Sequence, residues 1–245
     1  MNLVEVVVGY KIYVDLIKEL LRDKKVISTG MRGEIERVNL ALEHALNGQH
    51  TAIISSGDAG IYGMAGLVLE VCKERNIHVG WLSSSEDEVQ EGGCDIRIEI
   101  VPGIPAFCAA ASLLGAPLMH DFASISLSDL LTPWEIIIRR IEYAAKEDLL
   151  IVLYNPKSKE RNWQLSAVKN ILLRHRSPET SVGIVSKAMR KGERIEITNL
   201  ARMDQFKIDM QTILIVGNST SFQYRDFMVT PRGYMNKYSL KKKGL

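Results

Sequence analysis

Short apolar, β-branched runs alternate along this chain with stretches of helical periodicity, and that alternation confines the fold to layered α/β architectures. The clearest unit starts at Thr51-Ala52-Ile53-Ile54, a run that stops abruptly at Ser55-Ser56-Gly57. It reads as a buried strand feeding a turn. Beyond it Ile61, Met64, Leu67, Val68 and Val71 fall at helical spacing, so a helix is expected just past the turn, with Asp58 as its cap. Glycines at 57, 60, 63 and 66 let a ligand or a neighbouring backbone come close. A strand, a glycine-rich turn and a helix N-terminus form a pocket floor at the carboxyl edge of a parallel sheet. A tight βα turn with no ligand explains the glycines equally well.

The same design recurs. Strands are expected over 4–8 (broken by Gly9-Tyr10), 26–29, 77–82 and 96–101, with helices over 34–46 and 106–114. The serine- and acid-rich stretch 83–93 reads as an exposed loop. A domain junction is expected at Gly115-Ala116-Pro117-Leu118, dividing the chain into 1–117 and 118–245, since 245 residues suit two domains. The second half offers strands over 123–127, 149–153, 181–185, 194–198 and 212–216, and helices over 134–146 and 163–173. Thr132, Pro133 and Glu135 have the pattern of N-cap, first helical residue and capping-box acid. Both halves are thus parallel or mixed α/β layers. Turns at 57–60, 102–106, 154–156 and 217–220 follow strand ends, where ligands sit in α/β sheets, and two facing domains would enclose a cleft.

Composition removes several classes. A net charge of +2 makes no electrostatic case for nucleic acid. No apolar run reaches the ~18 residues of a membrane span, and Met1-Asn2-Leu3-Val4-Glu5 lacks a signal-peptide pattern. Lys241-Lys242-Lys243 reads as a solvated tail. The three cysteines, Cys72, Cys94 and Cys108, are widely spaced, and no cysteine or histidine spacing suggests a metal site. A cytoplasmic protein without a resident metal is expected.

The sequence has no G-x-S-x-G elbow, Walker A motif or H-E-x-x-H, and Gly57-x-x-Gly60 is not a dinucleotide fingerprint. Turn backbones without an evident base or nucleophile suit alkyl transfer from a sulfonium donor, which needs alignment more than proton shuttling. Val8-Gly9-Tyr10-Lys11, residues 55–66, 101–106, 113–121 and 125–134, Tyr154-Asn155-Pro156, and residues 215–218 and 228–234 together resemble the tetrapyrrole methyltransferases. The resemblance spans nearly the whole chain. It implies a fold of two α/β domains with a ligand cleft between them, S-adenosylmethionine as donor with S-adenosylhomocysteine as product, and a precorrin-type substrate. The implied reaction is methylation of C17 of precorrin-3B or cobalt-factor III with ring contraction in cobalamin biosynthesis, in a homodimer. A methyltransferase for another ring position, a tetrapyrrole-binding homologue without a donor site, and a generic nucleotide-binding protein are the alternatives.

The resemblance also implies roles for residues. Gly57, Asp58, Ala59, Ile61 and Tyr62 form one donor wall, with Pro105 and Ala106 from the next turn. Tyr154, Asn155 and Pro156 approach the donor from the second domain, and Gly217, Asn218 and Ser219 lie near its adenine. Ser126, Ser128, Asp129, Thr132 and Arg232 face the tetrapyrrole, with Lys157 and Arg161 as weaker candidates, and acid–base help is sought at Ser128, Asp129 or Tyr154. Helix capping competes for Thr132 and Asp129, a packed aromatic role for Tyr154, and a turn role for Asn218. Family members begin with a strand ending in Gly-x-Gly-Pro-Gly and a helix. Met1 stands almost where the second strand begins, which implies either a start recorded downstream of the true one or a shortened homologue, and in the second case an unpaired strand edge.

Overall fold

The structure is a computed structural model that describes residues 3–82, 93–158 and 160–238. The expected loop at 83–93 and the lysine-rich tail fall almost wholly outside the described residues. Two compact units divide at Pro105/Ala106 rather than at the expected 117/118. The reason is α4 (Ala106–Leu114), whose Ala110 and Leu114 are buried in a cluster of the second unit.

In the first unit, β1 (Val6–Tyr10) lies between β2 (Lys25–Thr29) and β3 (Thr51–Ile54), all parallel. Gly9 does not break β1. It pairs with Ser28 and Ile54, and a Cβ there would stand 2.5 Å from the Ile54 side chain, so only glycine lets the two strands approach. A short helix α1 (Lys11–Leu16) follows β1, and α2 (Glu34–Leu46) covers the sheet with Val38, Ala41 and Leu42 buried on one face. The chain leaves α2 through Gly48 at φ +79°, a conformation that glycine adopts freely. β3 is half-exposed rather than buried, because no strand lies on its outer side among the described residues. After α3 (Ala65–Glu74), β4 (Val79–Trp81) and β5 (Ile96–Ile98) pair as a separate parallel ribbon.

The second unit is built on a five-stranded mixed sheet. Its strands are β7 (Phe122–Ser126), β8 (Leu150–Tyr154), β9 (Ser181–Ser186), β10 (Arg194–Asn199) and β11 (Thr212–Val216), in the order β10-β9-β11-β8-β7. Only β7 and β8 run parallel; the other three pairings are antiparallel. Helices α5 (Trp134–Lys146) and α6 (Gln164–Leu172) bury Ile137, Ile141, Leu165, Val168 and Leu172 with residues of β8, β9 and β11. On the other face, Leu114 of α4 approaches Gly183 so closely that a Cβ there would stand 2.3 Å from it. Three strands were not expected from sequence: β6 (Gly115–Ala116), and the hairpin of β12 (Phe222–Tyr224) and β13 (Phe227–Val229), which form a small sheet. A last helical turn, α7 (Tyr234–Lys237), closes the described chain.

Candidate functional site

All three strands of the first unit's sheet end at one edge, and the glycine-rich turn after β3 sits there. Asp58 does not cap α3, which begins at Ala65 with Met64 in the cap position and no side-chain cap bond. Its carboxylate instead accepts the N–H of Gly60 (2.8 Å) and of Gly103 (2.9 Å), tying the turn after β3 to the turn after β5. The Gly103 N–H foremost, with those of Gly60 and Ile61, holds the Asp58 carboxyl below its ordinary value, and burial opposes them. The two backbones meet closely: a Cβ on Gly103 would lie 2.0 Å from the Gly57 carbonyl oxygen. Gly63 is required for the same reason, with the Ala59 and Asp58 carbonyls 2.5 Å from its absent Cβ. The Ala59 carbonyl also accepts the Ala65 N–H at 3.0 Å and so starts α3. Ile61 and Tyr62 stay exposed, and Tyr62 holds φ +52°, a costly conformation for a bulky residue. Pro105 closes this unit and Ala106 opens α4 of the next. Beneath this edge, buried Arg37 donates to Thr29 Oγ1 at 2.9 Å and to the Gly30 carbonyl at 3.1 Å, and lies over the Tyr10 ring.

In the second unit, β7 and β8 deliver Ser126 and Tyr154 side by side. Asn155 continues at φ +49° and donates its amide to Ser126 Oγ at 3.0 Å, which also accepts the Ser128 N–H at 3.2 Å. The Tyr154 hydroxyl accepts the Phe107 N–H at 3.1 Å, at the start of α4, and Pro156 is buried. Asp129 is not a cap. It lies 3.9 Å from Arg161 Nε and accepts a 3.2 Å bond from Gln164. Arg161 does not turn outward as a carboxylate-binding arginine would: it donates to the Leu127 carbonyl at 3.0 Å and the Asn155 carbonyl at 3.3 Å. Thr132 stands one residue before the cap position of α5, which is Pro133; no side-chain cap bond forms, so the expected capping box is not made. Arg232 is exposed beside Gly233, and Lys157 is half-exposed.

The turn at 217–220 does not join this edge. β11 runs antiparallel to β8, with Val216 opposite Ile151 and Leu214 opposite Leu153, so Gly217 emerges at the far end of the sheet. Five residues of strand put it about 17 Å from Asn155. Asn218 Oδ1 is taken by Thr220 and Ser221 within its own turn, and Ser219 is held by Asp148. Arg176 donates to the Gly217 and Leu149 carbonyls; burial pulls its pKa down, and Asp148 opposes that shift. The segment that does share the Tyr154 edge is the turn after β9. There Ala188 packs against the same buried cluster as Tyr154, while Lys187 and Met189 hold φ +53° and +58°. Its sequence signal, a short mixed cluster after an apolar strand, is too weak to stand out.

Comparison with known proteins gives this geometry its context. Residues 1–204 match the family model described as Tetrapyrrole (Corrin/Porphyrin) Methylases. The chain belongs to this family. Among tetrapyrrole methylases, it is 47% identical over 230 residues to the probable cobalt-factor III C(17)-methyltransferase of Salmonella typhimurium, covering 94% of the chain and 88% of that protein. It is 48% identical over 236 residues to the cobalt-factor III methyltransferase of Priestia megaterium, where 96% of the chain spans only 41% of the relative. The crystal structure of the methyltransferase CobJ superposes with a TM-score of 0.80 at 33% identity, covering 93% of this chain and 89% of that one. A uroporphyrin-III C-methyl transferase from Thermus thermophilus, solved with S-adenosyl homocysteine, shares the fold at a TM-score of 0.60 and 18% identity, over 87% and 85% of the two chains.

Proposed function

We propose that this tetrapyrrole methylase transfers a methyl group from S-adenosylmethionine to C17 of cobalt-factor III or precorrin-3B, with contraction of the ring, in cobalamin biosynthesis. The observation that carries the reading is the 47% identity to the Salmonella protein across 94% of this chain and 88% of that one. The turn after β3 suits a nucleoside donor, with Ile61 and Tyr62 exposed and a glycine-lined backbone that no strand pairs among the described residues. Asp58 supports this turn from within, accepting the Gly60 N–H on one carboxylate oxygen and the Gly103 N–H on the other. In the first unit, Gly57, Ala59, Ile61, Tyr62 and Pro105 hold the donor. In the second, the resemblance implies Tyr154, Asn155, Pro156 and Ala106 as the donor-side candidates, and Gly217, Asn218 and Ser219 are left out because β11 carries them to the end of the sheet away from Asn155.

When bound, the donor supplies a methyl group on a sulfonium sulfur. The protein's own contribution is orientation and exclusion of water. Ser128, Asp129, Thr132 and Arg232 meet the substrate's polar rim, and Ser126 fixes the loop that carries the first three. Asp129 or Ser128 exchanges a proton with the macrocycle during contraction. The homodimer and cytoplasmic location belong to the same reading, and exposed Phe222, Tyr224 and Phe227 on the β12–β13 hairpin supply an apolar surface for a second copy.

The test is a single-turnover reaction of the purified protein with labelled donor and cobalt-factor III. A product that carries one added methyl at C17, with the absorbance change of contraction, supports the proposal. Methylation at another position or donor release without transfer overturns it. Light scattering reads the oligomeric state.

A further inference from the structure

We propose that Arg161 is a positioning residue that locks the 126–132 loop onto the 154–156 turn, fixing substrate-side groups against donor-side groups. This rests on the functional reading above for the naming of the two sides, but the lock itself stands on geometry. Nη1 spans the two segments, reaching the Leu127 carbonyl at 3.0 Å and the Asn155 carbonyl at 3.3 Å, and Nε lies 3.9 Å from Asp129. The side chain is only 11% exposed, so its charge is spent inside the protein and not on a ligand carboxylate. Its own backbone is anchored by Ser158, which donates its N–H to the Arg161 carbonyl at 2.8 Å and accepts the Arg161 N–H on Oγ at 3.0 Å. Gln164, buried at the start of α6, holds the other Asp129 oxygen at 3.2 Å.

Removing a cation from water to serve two carbonyls is costly, and neutral donors would satisfy those carbonyls as well. What the guanidinium adds is a planar, rigid fork that reaches both carbonyls and the carboxylate at a fixed spacing. Lysine, a point charge on a flexible stem, cannot hold all three at once. A shift between the two segments therefore changes the alignment of the reactants rather than the affinity for either.

Arg161→Lys is expected to fold and to keep near-normal KM values for donor and cobalt-factor III. Its kcat, counted per donor-binding molecule, should fall on the order of 100-fold, the scale of a misplacement of about 1 Å. Added guanidinium should restore part of the kcat of Arg161→Ala. A loss confined to the KM for the tetrapyrrole overturns the proposal, because Arg161 would then touch substrate. Unchanged kcat per folded molecule overturns it too, leaving a purely structural role. Hydrogen exchange on the ligand-free protein separates this from the functional reading. Both 126–132 and 154–158 should exchange faster in Arg161→Lys, and protection retained in either segment refutes the lock. A wild-type protein that shows the lock but methylates no tetrapyrrole sinks the functional reading alone.

Discussion

Asn155 concentrates in one residue two demands that most side chains meet badly. Its backbone sits at φ +49°, where Asn and Gly are tolerated, and its amide must also reach Ser126 Oγ. Asn155→Gly removes only the side-chain bond, whereas Asn155→Ala adds a Cβ in the left-handed region. Denaturant titration should find Asn155→Ala less stable than Asn155→Gly by about 1 kcal/mol, after the entropy cost of glycine is offset. Equal stabilities would show that this backbone carries no strain. Asp58 gives a pH signature. Its pKa is lowered in the folded protein, so its stabilisation is present above the unfolded value and is lost as pH falls through the folded one. Asp58→Asn, which cannot titrate, should show a shallower loss of urea stability between roughly pH 5 and pH 2; parallel curves would rule the bridge to Gly103 out as a contributor. Neither role could be read from the sequence. Asp58 looks like a cap for the helix just after it, yet it bonds to Gly103, and Arg161 looks like an arm for an anionic ligand. What decides both is a partner far away in the chain.

Elements were legible where periodicity alone decides them. Helices over 34–46 and 134–146 were read to the residue, since each carries a clean apolar stripe and a definite stop. Periodicity puts the start of the helix after β3 too early, because Ile61 and Met64 fit helical spacing while the chain is still turning. Strand direction was not legible at all. An apolar run such as 212–216 looks the same entering a sheet from either end, so the turn at 217–220 was grouped with 154–156 although β11 runs the other way. Packing of α4 on the second unit's sheet gives an element-scale prediction. Gly183→Ala should cost about 1–3 kcal/mol by overpacking against Leu114. In a Leu114→Ala background the same change should cost close to nothing, read by thermal unfolding of the four proteins of the cycle. A full cost in that background would place the strain elsewhere.

At the scale of the molecule, the two units are unequally built. The second has a continuous buried cluster running from Ile125 to Val216, whereas the first divides its apolar residues among small groups around Val6, Val7 and Val38. Amide exchange should therefore be slowest in β8, β9 and β11 and faster in β1 to β3, with the first unit opening at lower free energy. Uniform protection across both would contradict this. The family was legible because its signature lies in turns spread along the whole chain. The division at Pro105/Ala106 was not, because Gly115-Ala116-Pro117 reads as a break while α4 before it already belongs to the second core.

The flank of β3, which no strand pairs among the described residues, has a consequence for handling the protein. Its row of peptide groups is a template on which another chain can dock strand to strand, and its residues, Thr51 to Ile54, are half-exposed and uncharged. With a net charge of only +2, repulsion between molecules is weak. Concentrated solutions should therefore fail by ordered edge-to-edge association, and adding salt should do less to cure it than placing a lysine on that flank.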